Sequence, residues 1–176
     1  MTHAPCIVWF KRDLRINDHT PLLMASQSGV PIIPLYIVEP QYWQQPFASR
    51  RHWHFIHDSL IDLNHALTSL GQPLIVKIGE ACRIIKHLQL QHQISDIYAF
   101  EETGNLWTYD RDIAVQNLCS ENNISLHETP SNGVVRRLRS RGDWSKIRNT
   151  RMSEKILPAP NAIVPLPLCP SDRLPE

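Results

Sequence analysis

No stretch of eighteen consecutive apolar residues occurs in this 176-residue chain, so no membrane-spanning helix is expected. The opening MTHAPCIVWF lacks the basic segment and cleavage site of a secretory signal, because its apolar run is short and leads straight into charge. The expected compartment is therefore the cytoplasm. Cys6, Cys82, Cys119 and Cys169 stand far apart, which excludes a zinc knuckle or a redox Cys-x-x-Cys pair and leaves reduced thiols, with Cys6 buried. Glycine is scarce, six in all, and neither GxGxxG nor GxxxxGK[ST] is present. Gly79 follows a strand, but one glycine at a turn cradles no phosphate. There is no internal repeat.

What is present begins with Cys6 to Asp18, CIVWFKRDLRIND. Cys6 to Phe10 is apolar without interruption, as a strand buried on both faces of a parallel sheet must be. Lys11, Arg12, Asp13 and Arg15 then place charge just beyond its carboxyl end, the edge where open α/β sheets bind ligands. Asn17 or Asp18 can cap the next helix, and Pro21 falls in its first turn.

Strand and helix patterns alternate from there. A helix over about 19–27 is followed by a β-branched strand at 32–38 and a Pro-containing loop at 41–48 with Tyr42, Trp43 and Phe47. Trp53, Ile56, Leu60, Leu63, Leu67 and Leu70 recur at helical steps, and Gly71 sits where that helix stops. Strands are expected at 74–78, 96–100 and 125–127, helices at 80–92 and 109–121, and a loop at 101–107. Such alternation with short connections specifies an α/β, doubly wound, Rossmann-like five-stranded parallel sheet with helices on both faces and the first strand near its middle. The candidate binding residues lie at the ends of strands one, two and four: Trp9, Phe10, Lys11 and Arg12; Tyr36, Ile37 and Glu39; Phe100, Glu101 and Glu102. Arg51, with Arg50, opens a helix where cations oppose the dipole, which hints at a second use such as meeting an acidic ligand. Flat apolar surface rimmed by charge suits an aromatic, partly polar small molecule. The plainer alternative is that Trp9 and Tyr36 are sheet core and the charges pair with one another. His52, His54, His57 and His65 lack partners at zinc-site spacing, so no metal is expected, and exposure on the helix explains them.

The stretch VWFKRDLRINDHTPL resembles the amino-terminal signature of the photolyase and cryptochrome family. The similarity continues through PLYIVEP, FIHDSLIDLNHALTSLG and the pair Arg111-Asp112, and covers roughly the first 150 residues. The resemblance implies an α/β domain preceding a larger helical domain that holds FAD, with an antenna pigment, a deazaflavin or a reduced folate, at the strand-end edge. Folate-binding members carry an Asn-Glu pair where this chain has Trp107 and Thr108, so a deazaflavin fits the resemblance better.

On this reading residues 1–132 form the α/β domain, 133–157 a basic interdomain loop, and 158–176 a Pro-rich connector that is mobile in isolation. Residues 136–151 hold seven Lys and Arg against one acid, whereas residues 1–135 hold nine against thirteen. Six of the fourteen prolines fall in 158–176. The implied role is the amino-terminal, pigment-holding part of a deoxyribodipyrimidine photolyase, a carbon-carbon lyase, or of a blue-light-sensing cryptochrome. No catalytic residue and no bound cofactor is expected in this part, and its partners are the helical domain and, for the parent, damaged DNA, with direct contact by 136–151 left open. The rival is a free-standing α/β module of the stress-protein or electron-transfer-flavoprotein type, binding a nucleotide or another small molecule.

Overall fold

The computed structural model describes residues 4–136, 138–167 and 169–175. Arg137 of the basic block and Leu168 and Glu176 of the Pro-rich stretch lie outside them. Five strands, β1 (Cys6–Phe10), β2 (Ile32–Val38), β3 (Ile75–Ile78), β4 (Asp96–Phe100) and β5 (Ser125–Thr129), form one parallel sheet in the order β3-β2-β1-β4-β5. The central strand is the apolar run expected of it, and all five of its residues are buried. Its alternate side chains enter separate cores. Ile7 and Trp9 pack with α4 (Ala81–His92) and α5 (Leu106–Glu121); Cys6, Val8 and Phe10 pack with α1 (Thr20–Gln27) and α3 (Arg50–Ser69).

The long helix α3 buries Leu60, Leu63 and Leu67, while Trp53, Ile56 and Leu70 pack at the margin of that core. Gly71 takes φ +115°, and a Cβ there would stand 3.0 Å from the Ile163 carbonyl. Burial pushes the Cys6 thiol up to about 12 and Cys119 to about 11, so both remain protonated and unreactive at neutral pH.

Four local expectations are corrected. Helix α1 is capped by neither Asn17 nor Asp18: His19 Nδ1 accepts from the Leu22 amide, and Asp18, at φ 51°, faces the other way and exchanges hydrogen bonds with Leu157. The loop at 41–48 begins with one helical turn, α2 (Pro40–Trp43), which Pro40 starts because its fixed φ and missing N-H suit the first helical position. Helix α5 begins at Leu106, three residues earlier than expected, since the Asn105 side chain accepts from the Thr108 amide. The basic segment is no loop: residues 141–143 make a 3-10 turn and Trp144–Met152 the helix α6, a stretch free of Gly and Pro that buries none of its residues.

The Pro-rich end also departs from its expected mobility, because it is strapped along the outer edge of β3. Ile163 is buried, and its amide donates to the Leu70 carbonyl at 2.8 Å. Pro165 bridges Ile32 in parallel. Leu166 donates to Gln72 Oε1, Asp172 to the Val76 carbonyl, and the β3 edge amides of Val76 and Ile78 donate to Ser171 Oγ and Asp172 Oδ2. Prolines bar helix and ladder here, but the residues between them keep their N-H groups and use them. The Ile163 and Asp172 amides are therefore expected to exchange with deuterium as slowly as those of the outer strands; exchange at the rate of an open chain would detach the strap.

Candidate functional site

The strand order changes direction at β1, whose neighbours β2 and β4 lead to opposite edges, so the crevice at the switch point opens above the carboxyl ends of β1 and β4. Charge fills it. Lys11 Nζ contacts Asp112 Oδ2 at 2.6 Å, with both side chains under a tenth exposed. Arg111 donates to Asp112 Oδ1 at 2.8 Å, Glu39 Oε2 at 2.8 Å and Glu102 Oε2 at 3.2 Å, and Arg12 pairs with the other oxygen of Glu102. Lys11 and Arg111 also each lie 4.9 Å from the Trp9 ring centre, close enough for its π face to attract both cations. Burial alone would lower the Arg111 guanidinium, but the facing Asp112 and Glu39 carboxylates raise it above its ordinary value. For Glu39 burial dominates and raises it, against the pull of Arg111.

The network joins three strand ends to one helix: Lys11 and Arg12 follow β1, Glu39 follows β2, Glu102 lies beyond β4, and α5 supplies both Arg111 and Asp112. Helix α5 presents Thr108, Asp112, Val115 and Cys119 as its buried stripe, apolar over the sheet and polar at the end that overhangs the crevice. Beyond β1, Asp13 turns back: it accepts from the Lys11 amide at 3.1 Å and from His19 Nε2 at 2.6 Å. Because His19 Nδ1 accepts from Leu22, its proton sits on Nε2. Burial would raise the Asp13 carboxyl, yet the hydrogen bonds from His19 and from the Lys11 amide outweigh it and hold the group below its ordinary 3.8.

Eight of the residues singled out in the sequence line one cleft: Trp9, Phe10, Lys11, Arg12, Tyr36, Ile37, Glu39 and Glu102. Three do not. Phe100 is buried beneath Arg15 and against the His19 ring. Glu101, one residue on and so on the opposite side of the strand line, turns to Arg136, which bridges it to Glu128. Arg51 is exposed on the first turn of α3. The plainer reading of the sequence holds for the charges, which pair, and for Trp9 and Tyr36, which are core. The cleft is left with about 50 Å³, room for a water or two.

Beside it lies a larger hollow of about 450 Å³, walled by Trp43, Trp53, Val38, Pro40, Ala48 and Ile78 with Arg50 at its rim. Trp43 borders both spaces. The rings form a continuous array: Trp107 to Tyr42 at 5.4 Å, Tyr42 to Trp43 at 5.1 Å, and Trp43 to Trp53 at 5.1 Å, all edge to face. Tyr42 and Trp43 were visible in the sequence only as loop aromatics. The single turn of α2 that brings them against α3 could have been read from Pro40 at a first helical position. Among the described residues no three His, Cys, Asp or Glu side chains gather as metal ligands, and no helix is long and apolar enough to cross a membrane.

The family model described as DNA photolyase matches residues 6–143. A deoxyribodipyrimidine photo-lyase of Agrobacterium fabrum is 40% identical over 85 residues, 48% of this chain and 17% of that protein. A cryptochrome DASH of Synechocystis is 30% identical over 131 residues, 70% of this chain and 25% of that protein. The chain thus spans a quarter or less of the length of these relatives. The fold superposes on a class III photolyase from Agrobacterium tumefaciens with a TM-score of 0.84 at 22% identity, covering 99% of this chain and 38% of that one. For an archaeal photolyase from Sulfolobus tokodaii, solved with two FAD molecules and described as implying a novel light-harvesting cofactor, the TM-score is 0.74 at 23% identity, with 92% and 38% covered.

Proposed function

Because this chain belongs to the DNA photolyase family, we propose that it is the amino-terminal α/β domain of a light-driven flavoprotein, a photolyase or a cryptochrome, and that it holds an antenna pigment while the chemistry takes place elsewhere. Residues 1–132 serve as the pigment domain, 133–157 as the basic segment facing the rest of the protein, and 158–176 as the linker toward a helical FAD domain. In a repairing parent, reduced FAD would pass an electron to a pyrimidine dimer flipped from DNA and so split it. This domain contributes captured light.

The observation that carries the reading is the aromatic-walled hollow beside the sheet's carboxyl edge, whose 450 Å³ falls in the range that holds ring-sized ligands. The ring system would stack on Trp43 and Trp53, with its polar end toward the cleft residues Trp9, Phe10, Lys11, Arg12, Tyr36, Ile37, Glu39 and Glu102. A free-standing nucleotide-binding module is the weaker reading, since the switch-point crevice that such modules use is filled here by Arg111 and its three carboxylates.

A deazaflavin suits this wall better than a reduced folate. Trp107 closes the position with an indole, and the hydroxyl of Thr108 is already bonded to Asn105, so neither offers a carboxylate to a pterin ring. Fluorescence titration of the chain with each pigment class is expected to give at least about tenfold tighter binding of the deazaflavin, with Trp43→Ala weakening it by a similar factor. Equal affinity, a preference for folate, or indifference to Trp43→Ala would overturn the assignment.

A further inference from the structure

The aromatic hollow has one wall that neither the sheet nor the helices supply. Pro175, from the far end of the strap, lines it together with Trp43, Trp53 and Ile78. The route to that position is fixed at β3. Ser171 Oγ accepts from the Val76 amide at 2.9 Å, Asp172 Oδ2 accepts from the Ile78 amide at 2.9 Å, and the Asp172 amide donates to the Val76 carbonyl at 2.8 Å. Two residues on, Leu174 packs at the margin of the core that Trp43 and Trp53 also border, and Pro175 follows into the hollow. Ile78 takes part twice, since its side chain lines the hollow while its amide holds the strap. The middle of the strap has its own anchors at Ile163, Pro165 and Leu166, so its end opens and closes without them.

We infer that residues 171–175 are part of the binding site: their docking completes the hollow, so that a ring-shaped ligand and the end of the strap hold each other in place. Ser171 and Asp172 are exposed, and water competes for their hydrogen bonds, so this end of the strap opens locally more readily than the sheet beneath it. When it opens, the hollow loses its wall beside Ile78, and a ligand there loses an apolar face. A ligand that prefers the closed form must shift the strap toward closure by the same factor by which closure tightens the ligand. Proline suits the wall, because its fixed ring presents an apolar face with little side-chain freedom to lose. Asp172 acts through the strap as a positioning residue, and Pro175 is the group that meets the ligand. The inference deepens the pigment reading and rests on it for the natural ligand. The wall itself requires only an aromatic ring with its anionic group toward Arg50 at the rim.

Two probes are titrated into the full chain by fluorescence: a deazaflavin, and anilinonaphthalenesulfonate, an aromatic anion unrelated to any pigment. Ser171→Ala/Asp172→Ala is expected to weaken both by at least about fivefold, the lower end of ordinary coupling between two sites. Pro175→Gly, which keeps both anchors and removes only the ring, should weaken both by about fourfold, the worth of one methylene withdrawn from water. The reciprocal effect separates a binding wall from a merely structural strap. At about 100 times its Kd, either probe should slow deuterium exchange of the Ile78 and Asp172 amides by at least about tenfold. The Leu157 amide, at the other end of the strap, should exchange as before. Asp18→Ala removes the acceptor of that amide and is the control, expected to bind both probes as the parent chain does. The inference is overturned if neither probe binds, if the double variant keeps the parent affinities, if Asp18→Ala loses as much, or if exchange at Ile78 and Asp172 ignores a bound probe. The pigment reading fails separately. Strap-dependent binding of the sulfonate without binding of the deazaflavin would keep the wall and remove the pigment, whereas deazaflavin binding indifferent to the strap would keep the pigment and remove the wall.

Discussion

Asp112→Ala is expected to destabilise the domain by about 3–5 kcal/mol, the usual cost of leaving one member of a buried ion pair without its partner. Asp112 is the acceptor for the Lys11 ammonium and for two nitrogens of Arg111. Arg111 would keep Glu39 and Glu102, but no other carboxylate is paired with Lys11 among the described residues. Its side chain is 6% exposed, so water cannot take over. Replacing both members with apolar residues of similar volume, Lys11→Met/Asp112→Leu, should recover most of the loss, because desolvating the pair had offset most of its attraction. Urea unfolding of the three variants checks this. A loss under about 1 kcal/mol for Asp112→Ala would mean that Lys11 escapes to solvent and that the network is looser than its geometry.

The second large effect lies in the core beneath α3. Leu60→Ala and Leu63→Ala should each cost about 2–5 kcal/mol, since both side chains are nearly inaccessible and the sheet behind them cannot collapse into the space left. Phe55, one turn before and 74% exposed, supplies the contrast: its replacement by Ala should change stability by no more than about 0.5 kcal/mol. Denaturant midpoints distinguish the two sites, and equal shifts at Leu60 and Phe55 would mean that the helix is rotated from its assigned register.

The sheet was readable because its signals are local. A run as short as Cys6 to Phe10, bounded by charge and with a β-branched and aromatic content, fits a doubly buried strand better than a helix, and the α3 stripe repeats at helical steps over five turns. Residues at strand ends were readable for the same reason, and eight of them do meet. What joins them was not. Asp112 reaches Lys11 across a separation of 101 residues, through a helix whose first turn lies within the stretch 101–107 that the sequence marks as loop. Position just past the end of β4 does not separate Glu101 from Glu102: the chain there turns Glu101 to Arg136 and Glu102 to Arg12 and Arg111, and only the partners reveal it. The strap was misread because proline density reports which regular structures are forbidden and carries no information about docking. The charge of residues 144–152 suggests a loop, whereas local propensity, with neither Gly nor Pro, favours the helix they form.

The strap has a consequence in time. Its anchors to β3 join residues 94 and 95 positions apart, so the edge of β3 is made long before the chain that covers it. At roughly 5–20 residues per second, a nascent chain would carry that edge uncovered for roughly 5–20 s. An open parallel edge is a template for unwanted pairing, and a charged side chain within it is the usual deterrent. Lys77, in the middle of β3, is placed to keep other strands away during that interval, and Asp172 then arrives with the strap to pair with it.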